Sequence, residues 1–178
     1  LRIVSGTHKS IIINPPKGLP VRPTTDRAKE SLFNIIENNF DIETLNVLDV
    51  FSGTGNIAFE FASRGAFKIT SVDIHEKCVL FIKSIQEKLK LTQLHAFKKD
   101  AFVFLKNTHE QYDIIFADAP YAHKQIIDIP RLVIEKKLLT EKGWLIVEHE
   151  NLLNLDNEIG FFDKRIYGQS AFSFFKSF

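Results

Sequence analysis

Residues 46–58, Asn-Val-Leu-Asp-Val-Phe-Ser-Gly-Thr-Gly-Asn-Ile-Ala, constrain the fold more than any other stretch of the chain. Asn46 to Phe51 is a short apolar run with one charge, Asp49, the pattern of a buried parallel strand. It runs directly into Gly53-Thr54-Gly55, after which Ile57, Ala58, Phe59 and Phe61 begin a helical pattern. Strand, glycine turn and helix together let a ligand lie against bare backbone and a helix N-terminus. On this reading both glycines are needed, because a side chain at either would block the approach and because the turn calls for positive φ.

Gly53-x-Gly55-x-x-Ala58 fits the dinucleotide fingerprint G-x-G-x-x-G/A, a weak signal alone. The added feature is Asp49, four residues before the first glycine, with Phe51 between them. This D-x-F-x-G-x-G pattern resembles motif I of the class I S-adenosylmethionine (SAM) methyltransferases. Their ligand is a sulfonium cation that also carries an ammonium group, which an acid at the turn suits better than it suits a pyrophosphate.

At 178 residues the chain has room for one domain with a full core, or one domain with an arm. It has no apolar run near the ~18 residues of a membrane span and no signal-peptide pattern, so no membrane partner is expected. The single cysteine, Cys78, excludes an internal disulfide framework and points to a reducing cytoplasm. No methionine occurs, consistent with a processed or trimmed N-terminus. The net charge of +1 hides an asymmetry. Residues 1–29 hold six basic side chains, Arg2, Lys9, Lys17, Arg22, Arg27 and Lys29, against one acid, Asp26. A basic arm on a mildly acidic body predicts contact with a polyanion.

Two short strands, Arg2–Ser5 and Ser10–Ile13, predict a hairpin, followed by a linker with three prolines up to Pro20. Thr24 or Thr25 caps a helix that begins near Asp26 and buries Ala28, Leu32, Phe33, Ile35 and Ile36. Lys68–Asp73 is a second strand ending in an acid 20 residues after Gly53, where doubly wound folds place the acceptor for ribose hydroxyls. A helix over 76–90 follows, with Val79, Leu80, Ile82, Ile85 and Leu89 inward. His95–Lys99 and Tyr112–Ala117 are the third and fourth strands. Gly143 introduces the fifth, Trp144–Glu148, and a hairpin around Gly168-Gln169-Ser170 closes the chain. Six of the 17 phenylalanines fall in that last segment and read as core.

Arg22-Pro23-Thr24-Thr25-Asp26-Arg27, the later Glu30-Ser31-Leu32-Phe33-Asn34, motif I and Asp118-Ala119-Pro120-Tyr121 together resemble the RsmD family, bacterial enzymes that methylate a guanine N2 of 16S ribosomal RNA. The resemblance runs from Arg2 to the C-terminal hairpin. It implies an α/β fold, a doubly wound Rossmann-like seven-stranded sheet in the order 3-2-1-4-5-7-6 with strand 7 antiparallel. Residues 1–21 would form the arm and 22–178 the methyltransferase domain. For the cofactor SAM it implies contacts from Asp49, Phe51, Gly53, Gly55, Asp73 and Thr25, with Asp100 and Ala101 at the adenine. Asp118–Tyr121 stands where the family has D-P-P-[FY], with alanine in place of its first proline. Arg2, Lys9, Arg22, Arg27, His123 and Lys124 are the candidates for RNA contact. A monomer working on 16S rRNA or an assembling small subunit is the implied setting.

A guanine amine is a poor nucleophile because its lone pair is delocalised into the ring. It needs acceptors that turn its N–H groups aside, and the Asp118 carboxylate and Ala119 carbonyl suit that role, with Tyr121 able to stack on an extruded base. The six histidines show no metal spacing, so no metal is expected. Three rivals stay open at this point: a dehydrogenase on the glycines alone, another base or protein-amide methyltransferase, and a non-catalytic RNA-binding assembly factor.

Overall fold

A computed structural model of the chain describes residues 1–19, 24–120 and 124–178, without the side chain of residue 124. Arg22, Tyr121, His123 and the Lys124 side chain therefore lie outside the described residues.

Helix α1 (Asp26–Glu37) is capped by Thr25, whose hydroxyl accepts from the Ala28 amide at 3.2 Å, and buries Ala28, Leu32, Phe33 and Ile36. The parallel strands β1 (Asn46–Val50), β2 (Lys68–Asp73), β3 (Leu94–Lys98) and β4 (Tyr112–Ala117) alternate with α2 (Asn56–Ser63), α3 (Glu76–Leu89) and α4 (Ala101–Asn107). Helix α5 (Ile129–Glu135) leads to β5 (Leu139–Glu150), and β6 (Phe161–Tyr167) and β7 (Ser170–Lys176) form the closing hairpin. The seven strands make one sheet in the order β3-β2-β1-β4-β5-β7-β6, with β7 antiparallel to both neighbours, as expected. Apolar clusters cover both faces, which is why β1 and β4 read as near-continuous apolar runs. No helix among the described residues is long and apolar enough to cross a membrane.

Several local expectations change. Strand β5 starts five residues before Trp144, and its register against β4 shifts between Tyr112 and Ile114. Gly143 sits inside this irregular stretch, where a Cβ would stand 2.8 Å from the Tyr112 carbonyl, so it permits close approach within the strand instead of opening it. Leu80 on α3 is exposed, because the buried stripe of that helix narrows to Cys78, Val79 and Ile82. Of the six C-terminal phenylalanines, Phe172, Phe174 and Phe175 are buried, whereas Phe178 is exposed.

The N-terminal residues form a single antiparallel bridge, Arg2 to Ile12, and not two strands, and Ile3 and Ile13 join the core beside α1 and α2. A buried charge cluster fastens this segment. The Glu60 carboxylate accepts from the Val4 amide at 2.9 Å and the Ser5 amide at 3.0 Å, and pairs with Lys29 at 3.3 Å and Arg64 at 2.9 Å. Lys29 is fully buried, and burial lowers its pKa against the opposing pull of Glu60. Two of the six basic residues counted in the arm are thus engaged within the fold: Lys29 here, and Arg2 in an exposed pair with Asp26 at 3.1 Å.

Candidate active site at the switch point of the sheet

The strand order reverses between β1 and β4, and a cavity of about 880 Å³ opens at the C-terminal ends of the strands there. Its volume is within the range of roughly 300–1,000 Å³ typical of small-molecule sites. Acids from successive strand ends and the turns after them converge on it: Asp49, Asp73, Asp100, Asp118 and Glu148.

Asp49 is buried at the end of β1, where the Ala58 amide in the first turn of α2 donates to its carboxylate. Its Oδ2 is buried with no hydrogen-bond partner. Burial, and secondarily the charge of Asp73, push its pKa from 3.8 up to about 8. A buried oxygen left unpaired on a cavity wall costs free energy unless a ligand donor meets it. Asp73 is organised differently. Its Oδ2 accepts from the Gly53 amide and its Oδ1 from the His75 amide, both at 2.8 Å, so one carboxylate locks the turn after β1 to the turn after β2. Each oxygen retains a second lone pair for a ligand hydroxyl.

Phe51 adopts φ +60, a strained conformation for a bulky residue, and its ring meets Phe102 edge-on at 5.9 Å on the cavity wall. Gly53 lines the cavity. Gly55 does not, and the expectation that it clears space for ligand is corrected: its φ is +77, and a Cβ there would stand 2.9 Å from Ile82 of α3 and 3.0 Å from the ring of Phe59. It is a packing glycine. Asp100 caps α4, accepting from the Val103 amide at 2.8 Å, while lining the cavity with Ala101. Thr25 lines the cavity as well as capping α1. At the end of β4, Asp118 is half-buried, Ala119 buried and Pro120 exposed, and all three border the same cavity. Lys9 and Arg27 are exposed outside it.

Glu148 and Asn56 also line the cavity, and no sequence motif marks either. Glu148, buried near the end of β5, accepts from the Thr24 hydroxyl at 2.6 Å. Asn56 donates through its amide to the Thr24 carbonyl at 3.2 Å and accepts from the Lys29 ammonium at 2.8 Å. A hydrogen-bonded path therefore runs from the Glu60 cluster under the N-terminal segment to the cavity wall. An acid near the end of a parallel strand was the available signal for Glu148, the same one that marks Asp73 and Asp118. The turn after β6 also reaches the cavity through Gly168, Gln169 and Ser170, held by hydrogen bonds from Asn151 to the carbonyls of Gly168 and Gln169. Among the described residues no cluster of metal-binding side chains occurs.

A seven-stranded sheet in this order, with β7 alone reversed and an acid-lined cavity at the switch point, defines the Rossmann-like methyltransferase fold. The family described as Conserved hypothetical protein 95 matches residues 1–176, and the chain belongs to it. It is 34% identical to "Ribosomal RNA small subunit methyltransferase D" of Buchnera aphidicola subsp. Baizongia pistaciae over 86% of this chain and 78% of that one. The protein of the same name from Haemophilus influenzae is 29% identical over 84% of this chain and 79% of its own. Among solved structures, a hypothetical protein of a Thermus species superposes with a TM-score of 0.87 at 22% identity, covering 99% of each chain, a likeness of fold. These relatives agree with the RsmD resemblance carried by the sequence motifs.

Proposed function

We propose that the chain transfers a methyl group from S-adenosylmethionine to the exocyclic N2 of a guanine in 16S ribosomal RNA. The observation that carries this reading is the placement of Asp118 and Ala119 on the wall of the same cavity that Asp49, Asp73 and Asp100 line from β1, β2 and the turn after β3. The names of the relatives support an rRNA substrate.

The residues present fit the cofactor. Asp49, with its unpartnered buried oxygen, would take the ammonium group; Asp73 would accept from the ribose hydroxyls; and Asp100 with the Ala101 amide would meet the adenine. When bound, S-adenosylmethionine supplies an electrophilic methyl on a positively charged sulfur. The Asp118 carboxylate and the Ala119 carbonyl accept from the guanine amine and turn its lone pair toward the methyl. The carboxylate also steadies the positive charge that grows on nitrogen and takes the proton that the acidified nitrogen sheds once it carries the methyl. No strong base is required, and much of the acceleration comes from holding the base in place. Tyr121 stacks on the base. Residues 1–21 face the RNA as a segment fastened onto the methyltransferase body of residues 22–178, with Arg2, Lys9, Arg22, Arg27, His123 and Lys124 against phosphates. The protein acts as a monomer in the cytoplasm, on free 16S rRNA or an assembling subunit.

Labelled S-adenosylmethionine offered in parallel with naked 16S rRNA, small subunits, DNA and cell protein tests the proposal. Label is expected in the rRNA of one of the first two. Label in DNA or protein alone would replace the reading with another methyltransferase, and none anywhere would favour a non-catalytic assembly factor.

A further inference from the structure

A second cavity, of about 570 Å³, lies at the β3 edge of the sheet and shares no lining residue with the active-site cavity. Its walls come from β3, from parts of β2, α3 and α4, and from the stretch after α4 up to Tyr112 at the start of β4. Among its lining residues are four lysines, Lys68, Lys83, Lys98 and Lys99, and one acid, Glu110, a local excess of +3 in a chain whose whole net charge is +1. Lys68 pairs with Glu110, and Lys98 with Glu76 at 3.5 Å. Among the described residues Lys83 and Lys99 enter no ion pair and stand exposed. Phe97, 49% exposed on β3 two residues before Lys99, lines the same cavity as both lysines. The groove begins one residue from the active site, since Lys99 precedes Asp100, which lines the first cavity.

Lysines on an edge strand commonly guard against pairing with other chains. An exposed phenylalanine works against that purpose, because it offers the edge an apolar handle. Cationic side chains around an exposed aromatic are instead the combination that holds single-stranded nucleic acid, with phosphates on the lysines and a base face on the ring. The length of β3, about 13 Å at ~3.3 Å per residue, accommodates a segment of a few nucleotides.

We infer that this groove is a second contact for the RNA substrate, taking an unpaired segment beside the target with a base against Phe97 and phosphates against Lys83 and Lys99. This rests on the substrate being RNA and is independent of which atom is methylated. It gives the protein a cationic anchor on the sheet edge that the sequence, read for its basic N-terminus, did not suggest.

The test is RNA affinity at several salt concentrations, using a 16S rRNA fragment as probe, for wild type, Lys83→Gln/Lys99→Gln and Phe97→Leu. Removing two phosphate contacts should make the log–log salt slope shallower by about 1.4. Phe97→Leu, which keeps apolar bulk and removes the stacking face, should weaken binding about fivefold or more at every salt concentration. S-adenosylmethionine affinity, measured on the same samples, should hold and so report an intact fold. In wild type, RNA carrying a photoreactive base should crosslink to the peptide over 95–99. Unchanged RNA affinity and slope in both variants would overturn the inference. So would variants that aggregate while their monomers bind RNA normally, which would make the lysines edge protection. Wild type that binds no RNA at all would remove the functional reading and this inference together.

Discussion

Replacing Asp49 with asparagine separates the cofactor's charge from the shape of its site. In the free protein the Asp49 carboxyl, pushed up to about 8, is mostly protonated at pH 7. A ligand bearing an ammonium group must expel that proton to gain an ion pair. Ionising the acid costs about 1.4 kcal/mol at pH 7 and about 2.7 kcal/mol at pH 6. Affinity for S-adenosylmethionine should therefore rise close to tenfold from pH 6 to pH 7 and level off near pH 8, with nearly one proton released per ligand at the acid end. Asparagine cannot ionise, so Asp49→Asn should bind more weakly at pH 8 by roughly 1.5–3 kcal/mol, the loss of a charge-assisted bond. The two proteins should converge toward pH 6. Stability moves the other way. The folded pKa lies above the unfolded value of 3.8, so the stabilising contribution of the protonated group is complete below about 4 and is lost as pH rises through about 8. The ligand-free asparagine variant should then be the more stable protein at pH 8 while binding its cofactor less well. Calorimetry in buffers of different ionisation enthalpy counts the protons, and thermal melts follow stability. Wild-type affinity that is flat from pH 6 to 8 with no proton released would refute the argument.

Asp118→Asn should slow single-turnover methylation by roughly 10- to 150-fold, the equivalent of 1.5–3 kcal/mol, and leave S-adenosylmethionine affinity nearly unchanged; full activity would remove Asp118 from the mechanism. Asp73→Ala should weaken the cofactor by roughly 1.5–3 kcal/mol in calorimetry and also lower the melting temperature, because the Gly53 and His75 amides lose their acceptor. Glu60→Ala should cost about 3–5 kcal/mol in urea unfolding, since it strands buried Lys29 and the Val4 and Ser5 amides. A loss below ~1 kcal/mol there would mean that the cluster does not hold the N-terminal segment.

The strand-turn-helix over residues 46–58 and the acids ending β2 and β4 were readable because they are local: a few adjacent residues fix both the turn and the direction of a side chain. The sheet order followed from the family resemblance. Three features were not readable for a common reason. Lys29 looked like part of a basic arm, and only the fold brings Glu60 to it from 31 positions away. Gly55 looked like a ligand glycine because the motif does not show that α3 crosses behind the turn and puts Ile82 against it. Glu148 was passed over as the end of an apolar strand, since nothing local pairs it with Thr24, 124 residues earlier. The length of β5 was underestimated because Gly143, ordinarily a breaker, is tolerated where the register shifts and the Tyr112 carbonyl presses close.

In the proposed chemistry a carboxylate and a carbonyl at the end of β4 present a guanine amine to the cofactor's methyl group. Complete digestion of 16S rRNA after incubation with the protein and labelled S-adenosylmethionine, followed by chromatography and mass spectrometry of the nucleosides, tests it most directly. The label is expected to elute as N2-methylguanosine. Label on a ring nitrogen, a ribose hydroxyl or another base would contradict it.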